Sequence, residues 1–345
     1  MSQDHSYRAT LKPLPENLPR PLWSVMIPTY NCANYLRETL ISVLAQDLGP
    51  DLMQIEVVDD HSTKDDPAAV VEELGHGRVG LYQQPQNVGH TRNFQTCLER
   101  SRGKLIHILH GDDAVRKGFY RSMQMAFDEH PDIGAAFCRC ILMDSQSHWQ
   151  SLVWLEQPQP GILENWLERS AVEQRIQTPS IVVRREVYET LGTFDQRLSW
   201  TEDWEMWVRI AAHYQVWYEP EPLALYRMHL NSNTSRQTRT GENLQDVRRA
   251  ISIFQAYLPE TCANKLVKKA RENWALETLF ATVPAFLAAK DYAAVLTQIR
   301  EVLACSYSPI VVKNIILVIL NLSKSWVRYI VSKNLLSWKP QEESC

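Results

Sequence analysis

The sequence predicts an α/β protein built on a doubly wound, mostly parallel sheet, followed by a helical module. Three observations carry this. Short apolar strand patterns alternate with helical patterns through residue 138, at the spacing of βαβ units. Beyond about residue 241 the strand signal stops and long helical periodicities replace it. Charge divides in the same place: residues 1–235 carry 21 basic and 31 acidic side chains, whereas residues 236–345 carry 15 and 9. The 345 residues suffice for about two domains at roughly 150 residues each. With 45% apolar and 22% charged residues, disorder, collagen and coiled coil are excluded.

Residues 1–22 hold Pro13, Pro15, Pro19 and Pro21 and read as an extended arm. The first domain is expected over 23–235. Trp23–Ile27 is a buried-strand pattern stopped by Pro28, and Asn34–Ala45 has helical periodicity. Gln54–Val58 and Val79–Gln83 are the next strands, followed by a helix from about Asn93 to Arg100. Lys104–Leu109 is a fourth strand, Gly118–Glu129 a helix and Ile133–Cys138 a fifth strand. A further helix runs from Asp203 to His213, with Trp204, Trp207, Val208 and Ala211 on one face. Asn231–Thr240 is polar enough to be a linker. The helical module, 236–345, contains Ala250–Tyr257, Cys262–Val283 and Asp291–Cys305, with Pro284 ending or kinking the second.

The seven cysteines are scattered and odd in number, so neither a disulfide framework nor a metal cluster follows. Cys138 and Cys140 sit at alternate strand positions and are expected on one buried side. The N-terminus lacks a charged-then-apolar leader, and no apolar stretch approaches the roughly 20 residues of a spanning helix. A cytoplasmic location is expected, and no nucleic-acid partner. Ile315, Ile319, Leu322, Trp326 and Ile330 follow helical spacing, beside Lys313, Lys324, Arg328 and Lys333. That pattern suits a helix packed on the first domain with its basic face in water. It also suits peripheral contact with an anionic membrane, here the inner face of the plasma membrane.

In open α/β sheets, ligands bind beyond the carboxyl ends of the strands. There the sequence places Pro28-Thr-Tyr-Asn31, Asp59-Asp-His-Ser62, Asn87-Val-Gly89 and His110-Gly-Asp-Asp113. Two are paired carboxylates, which disfavour one another unless a cation or donor neutralises them. G-x-G-x-x-G and G-x-x-x-x-G-K-[ST] are both missing, which argues against a dinucleotide dehydrogenase and a P-loop nucleotidase. With 12 glycines, a glycine cradle for diphosphate is not expected, and carboxylates after the fourth strand suggest Mg²⁺ or Mn²⁺.

Val25-Met-Ile-Pro-Thr-Tyr-Asn31, Val57-Val-Asp-Asp-His-Ser62, Asn87-Val-Gly89 with Asn93, and Leu109-His-Gly-Asp-Asp113 resemble, in order and spacing, the family 2 glycosyltransferases of GT-A fold. The resemblance spans about residues 23–235. It continues through Thr178-Pro-Ser-Ile-Val-Val-Arg-Arg185, Thr201-Glu-Asp-Trp-Glu-Met-Trp207 and Tyr226-Arg-Met-His229. It implies a GT-A-like doubly wound, mostly parallel sheet and a nucleotide-diphosphate sugar donor. Pro28, Thr29, Tyr30 and Asn31 would line the base and ribose pocket, with Asp59 or Asp60 accepting from the base and Ser62 nearby. Asn87, Gly89, Asn93, His110, Gly111 and Asp112 would complete the donor site. Asp112 stands at the family's metal-binding aspartate, with His110 and His229 as further metal ligands. Asp203 matches the catalytic base, and Glu202 and Trp204 would lie on the acceptor side. The family's metal motif is Asp-x-Asp, and here its first position is His110. A Gln-x-x-Arg-Trp motif of processive relatives is not found, so one transfer rather than polymerisation is implied.

The resemblance implies metal-assisted, inverting transfer of one sugar to a glycan, lipid-linked or small acceptor. A carboxylate must take the proton of a poorly nucleophilic sugar hydroxyl, and a metal would stabilise the leaving diphosphate. Two rivals stand beside this reading. One is a non-catalytic sugar-nucleotide-binding scaffold, favoured by His110. The other is a nucleotidyltransferase, disfavoured because Pro28-Thr-Tyr-Asn31 is not a basic glycine loop. Seven of the 11 tryptophans fall between Trp149 and Trp217, where one or two could stack on acceptor sugars. Arg92 suits either a phosphate contact or a solvated helix start.

Overall fold

The computed structural model describes residues 7–15, 17–229 and 232–320. The first half alternates β1 (Trp23–Thr29), α1 (Ala33–Leu44), β2 (Met53–Asp59), α2 (Pro67–Gly75), β3 (Gly80–Gln83), α3 (His90–Arg100) and β4 (Leu105–Ile108). There follow β5 (Ala114–Val115), α4 (Phe119–Glu129), β6 (Ile133–Met143), β7 (Trp149–Leu152), β8 (Gly161–Ile162) and α5 (Trp166–Val172). Then come β9 (Ile181–Arg184), α6 (Arg185–Leu191), α7 (Glu202–Ala211) and β10 (Gln215–Arg227). From there the described chain is helical: α8 (Asn233–Thr240), α9 (Glu242–Phe254), α10 (Ala263–Glu277), α11 (Val283–Ala288) and α12 (Tyr292–Cys305). Residues 309–320 are also helical.

The strands form one sheet in the order β3-β2-β1-β4-β9-β6-β10-β5. β3, β2, β1 and β4 are mutually parallel, as are β6 and β10. β9 enters antiparallel between β4 and β6, so those two still run the same way. Every residue of β1 and β2 is buried, as expected of parallel strands covered on both faces. Pro220 and Pro222 fall within β10 where its register against β6 shifts, a place where a missing N–H is tolerated. Cys138 and Cys140 are both buried in the core cluster shared by α1, α4 and the sheet, on the common side their spacing predicts.

Several elements differ from expectation. α2 went unpredicted although Asp66 caps it, accepting from Ala69 N at 3.1 Å, with Pro67 in the first turn. The expected linker Asn231–Thr240 is largely helix α8, started by Ser232 accepting from Ser235 N at 3.2 Å. Its Gln237 is buried and donates to Ser199 O at 2.6 Å, so the segment packs rather than spans. Pro284 lies in the first turn of α11, after a π-helical turn over Thr278–Thr282 that carries the chain out of α10.

The helices after β10 do not stand apart. Leu244, Val247, Ile251 and Phe254 of α9 pack with Trp274 of α10 and with Trp204 and Val208 of α7. Each large apolar side chain so buried contributes about 1.5–3 kcal/mol. The N-terminal segment is also anchored: Arg8 meets Asp195 at 3.3 Å and Glu205 at 3.1 Å, while Thr193 N donates to Ala9 O at 3.0 Å. No helix among the described residues is long and apolar enough to cross a membrane. Leu322, Trp326 and Ile330, with Lys324, Arg328 and Lys333, lie outside the described residues.

Candidate active site

The carboxyl ends of β1, β2 and β4 bring the polar loops together. Beyond β1, Asn31 takes a positive φ of 51°. Its Oδ1 accepts from Thr63 N and Lys64 N, both at 2.9 Å, and its own N–H donates to Ser62 Oγ at 2.8 Å. Tyr30 is exposed at the rim, whereas Pro28 and Thr29 are buried. Asp59 accepts from Ser62 Oγ at 2.5 Å and Gln83 Nε2 at 3.0 Å. Asp60 accepts from Val88 N at 2.7 Å, Gly89 N at 3.0 Å and Asn87 Nδ2 at 3.0 Å. The first carboxylate pair is therefore neutralised by the protein's own donors, and Asp60 shapes the Asn87–Gly89 turn. Asn93 is buried; it donates to Val58 O at 2.9 Å and accepts from Gln84, fixing α3 to β2.

The loop after β4 is tighter. Gly111 N donates to Pro28 O at 2.9 Å, and a Cβ on Gly111 would lie 2.8 Å from Thr29 Oγ1 and 3.2 Å from Cys32 Sγ. Glycine is required here for close approach of the two loops. His110 stacks on Phe94, ring centroids 5.3 Å apart, and its Nδ1 lies 3.1 Å from Asp113 Oδ2. His229 Nε2 donates to Asp112 Oδ2 at 3.0 Å. Arg227, next to His229 in the chain but for Met228, donates from its backbone to Asp113 Oδ1 at 2.8 Å and from Nε to Asp112 O at 2.8 Å. The end of β10 thus clamps the loop that follows β4.

These groups polarise one another. Burial pushes Asp113 up to about 6, with the charge of Asp112 adding to it and the His110 contact opposing. For Asp112 burial acts in the same sense, but the His229 bond and the His110 charge outweigh it and hold the carboxyl below its ordinary value. Burial disfavours charge on His110, yet Asp113, Asp112 and Asp203 prevail and raise it to about 8.

Asp203 opens α7. Its Oδ2 accepts from Gln174 Nε2 at 2.9 Å and Thr178 Oγ1 at 3.1 Å, and its Oδ1 accepts from Trp204 N at 2.6 Å. Burial, then the charge of Glu202, pushes its carboxyl up to about 7. Glu202 Oε1 meets His90 Nε2 at 2.9 Å. Burial opposes charge on both partners, and their mutual attraction overcomes it, lowering Glu202 and raising His90. The turn before α7 is held from outside the sheet: Asp246 Oδ2 of α9 accepts from Trp200 N and Thr201 N, both at 2.9 Å, and from Thr201 Oγ1 at 2.8 Å.

Sequence reasoning thus finds Asp112, His110, His229, Glu202 and Asp203 in one electrostatic neighbourhood. Trp204, expected on the acceptor side, is corrected. It is fully buried between Phe254 and Trp274, with Nε1 donating to Ser170 O at 2.7 Å, so its ring reaches no ligand. His90, Gln174 and Asp246 join the site with no role expected of them from sequence, and Asp113, Thr178 and Arg227 enter it only as members of the quoted motifs. His90 directly follows Gly89 and Asp113 directly follows Asp112, so adjacency was a signal for both. Nothing local marks Gln174 or Asp246, which arrive by tertiary packing.

A divalent cation fits the donor set. One ligand atom each of His110, Asp112 and Asp113 lie within 4.8 Å of one another. His110 Nε2 and His229 Nδ1 are buried without a hydrogen-bond partner. Carboxylate oxygens with imidazole nitrogen suit Mn²⁺ and, with more oxygen, Mg²⁺.

Residues 24–192 match the family model described as Glycosyl transferase family 2. An uncharacterised glycosyltransferase of Rickettsia prowazekii is 24% identical over 237 residues, which are 67% of this chain and 72% of that protein. Staphylococcus aureus TarS 1–349, solved in complex with UDP-GlcNAc, superposes with a TM-score of 0.63 at 16% identity, covering 82% of this chain and 81% of that one. The mannosyltransferase PcManGT of Pyrobaculum calidifontis, solved with GDP-Man and Mn²⁺, gives a TM-score of 0.53 at 18% identity, covering 88% and 91%. At these identities the two structures show a shared fold.

Proposed function

We propose, from the premise that the chain belongs to glycosyltransferase family 2 through residues 24–192, that it moves one sugar from a nucleotide-diphosphate donor to an acceptor hydroxyl with inversion. The observation that carries this is Asp203. It is a carboxylate held by Gln174 and Thr178, with its proton affinity raised to about 7, in the electrostatic field of His110. The acceptor hydroxyl donates to Asp203; its oxygen bonds to the anomeric carbon as the carbon–oxygen bond to diphosphate breaks. The proton passes to Asp203, which is matched to hold it near neutrality. One enzymic carboxylate is then needed at the reacting carbon, as inversion requires.

Asp112, His229 and His110 would hold a Mn²⁺ or Mg²⁺ ion, which supplies positive charge to the departing diphosphate. Tyr30, at the exposed rim beside the Asn31 turn, is the residue best placed to meet the nucleotide base. Asp59, Asp60, Ser62, Asn87, Gly89 and Asn93 shape the pocket through the bonds they make to each other and to the sheet. The ligands in TarS and PcManGT support a UDP- or GDP-linked donor. A glycan or lipid-linked acceptor suits work at the cytoplasmic membrane surface. Helix 309–320 supports such contact by turning Ile310, Ile316 and Leu317 outward beside Lys313.

A panel of UDP-, GDP- and dTDP-sugars, with and without Mn²⁺, tests the reading by thermal shift and donor turnover. A donor in hundredfold excess over its Kd stabilises the fold by about 2.7 kcal/mol. Absence of any donor response, with Mn²⁺ or without it, overturns the proposal.

A further inference from the structure

A cleft of about 430 Å³ lies between the segment after β7 and helix α10, lined by Trp154, Val172, Glu173, Asn273, Trp274 and Glu277. That volume falls in the range of small-ligand sites, about 300–1,000 Å³. Its composition is selective. Trp154 is 64% exposed, whereas Trp23, Trp166, Trp204, Trp207 and Trp274 are buried. Arg175 buttresses the exposed ring, its guanidinium 5.9 Å from the ring centroid, and is itself held by Glu156 at 2.7 Å and Glu173 at 2.6 Å. Asn273 Nδ2 donates to Val172 O at 3.2 Å and ties α10 to the wall of the cleft. An aromatic plane with carboxylates and an amide is what a sugar ring presents partners for: an apolar C–H face rimmed by hydroxyl donors. Two carboxylates, Glu173 and Glu277, disfavour an anionic ligand.

Along the chain the cleft lies one residue from a partner of Asp203, the extended backbone at Glu173 sending successive side chains to opposite sides. Glu173 lines it, and the next residue, Gln174, donates Nε2 to Asp203 Oδ2 at 2.9 Å. The other end of that amide, Oε1, is buried and has no hydrogen-bond partner. A hydroxyl has one proton to donate, and the attacking hydroxyl gives its proton to Asp203. Gln174 Oε1 therefore calls for a second, neighbouring hydroxyl, which a saccharide diol supplies and a simple alcohol does not.

We infer that this cleft is the acceptor subsite, binding one sugar of a neutral glycan with a ring face on Trp154 and hydroxyls on Glu173 and Glu277, while the reacting sugar of the same glycan shares a vicinal diol between Asp203 and Gln174. The inference rests on the glycosyltransferase reading and assigns its acceptor to a neutral glycan seated partly on the helical module.

The test begins with fluorescently labelled full-length protein on an array of immobilised neutral and anionic glycans. Wild type is expected to bind neutral glycans, Trp154→Ala and Glu277→Gln to lose at least about tenfold in affinity, and Trp154→Phe to retain it. With an array-selected glycan as acceptor, both weakened variants raise acceptor KM by a similar factor while donor KM and donor hydrolysis stay at wild-type values. Wild type binding no neutral glycan, or unchanged acceptor KM in both variants, overturns the subsite. The array reads binding without donor chemistry, so loss of the subsite is distinguishable from failure of the transferase reading, which donor hydrolysis reports.

Discussion

His90 Nε2 lies 2.9 Å from Glu202 Oε1, so the residue before Asp203 is an ionised acid with its own imidazole partner. The pair explains how a buried acidic doublet opens α7. Glu202 keeps its charge because His90 answers it, and that charge, after burial, raises Asp203 to about 7. A helix N-terminus favours both carboxylates. A base poised near neutrality serves proton transfer better than one at the ordinary carboxylate value.

The first expectation concerns pH. Asp203 accepts a proton only as the carboxylate, so kcat/KM falls as pH drops through about 7. Glu202→Gln removes the charge that disfavours ionisation of Asp203, and the acidic limb of the profile moves to lower pH. Rate profiles from pH 5 to 9 for both proteins check it; coincident limbs refute the assignment.

Replacing the base separates activity from stability. Asp203→Asn loses about 10²–10⁴-fold in turnover, the usual worth of a positioned general base, while donor binding persists. The folded-state pKa of Asp203 is raised, so its ionised form is the one folding disfavours. The stability it contributes when protonated is present below the unfolded value near 3.8 and is lost as pH rises through about 7. The variant should therefore melt at or above wild type at pH 8 and gain less at pH 4. Melting curves at the two pH values, beside donor titrations, decide it.

Strands β1 to β4 and the polar loops at their carboxyl ends were legible because each is local. β1, β2 and β4 are short apolar runs ended by Asn31, Asp59–Asp60 and His110–Asp113. What escaped is what packing supplies. β9 comes from residues 181–184 yet slots between β4 and β6, and no periodicity reports a neighbour so far along the chain. Trp204 carried the family's acceptor-side position, but its place on α7 faces the helical module, and burial there removed it from the site. Asp59 and Asp60 read as a charged pair awaiting a ligand because, Ser62 apart, their donors Gln83, Asn87, Val88 and Gly89 sit more than twenty residues away.

Cation binding should depend on the loop after β4. Asp112→Asn removes a charged ligand, and His229→Gln removes the group that bonds it at 3.0 Å. Each is expected to weaken Mn²⁺ at least about tenfold, as loss of a metal ligand's hydrogen-bond partner commonly does. Calorimetric titration of Mn²⁺ into each variant in the presence of nucleoside diphosphate measures the change. Wild-type affinity in both would place the ion elsewhere.

The Gly111 contact gives a stability prediction free of catalysis. A methyl group at this position meets Thr29 Oγ1 at 2.8 Å, Thr29 Cβ at 3.0 Å and Cys32 Sγ at 3.2 Å, all on the loop it must approach. Gly111→Ala should cost about 1–3 kcal/mol by overpacking. Denaturant midpoints are the readout, and an unchanged midpoint would mean that the two loops part without penalty.

The helical module should matter to chemistry as much as to folding, because Asp246 fixes where α7 begins. Its Oδ2 takes N–H groups from Trp200 and Thr201 at 2.9 Å and the Thr201 hydroxyl at 2.8 Å, one residue before Glu202 and two before Asp203. Asp246→Ala leaves those donors without their acceptor, at about 1–3 kcal/mol for a buried unsatisfied group. It also frees the turn that aims Asp203. Asp246→Asn keeps an acceptor oxygen and should fall between the two. The expected signature is a drop in kcat with donor affinity retained, since the donor loops after β1, β2 and β4 do not touch this aspartate. If kcat follows only the fraction of folded protein, Asp246 serves the fold alone and α7 finds its start without help from α9.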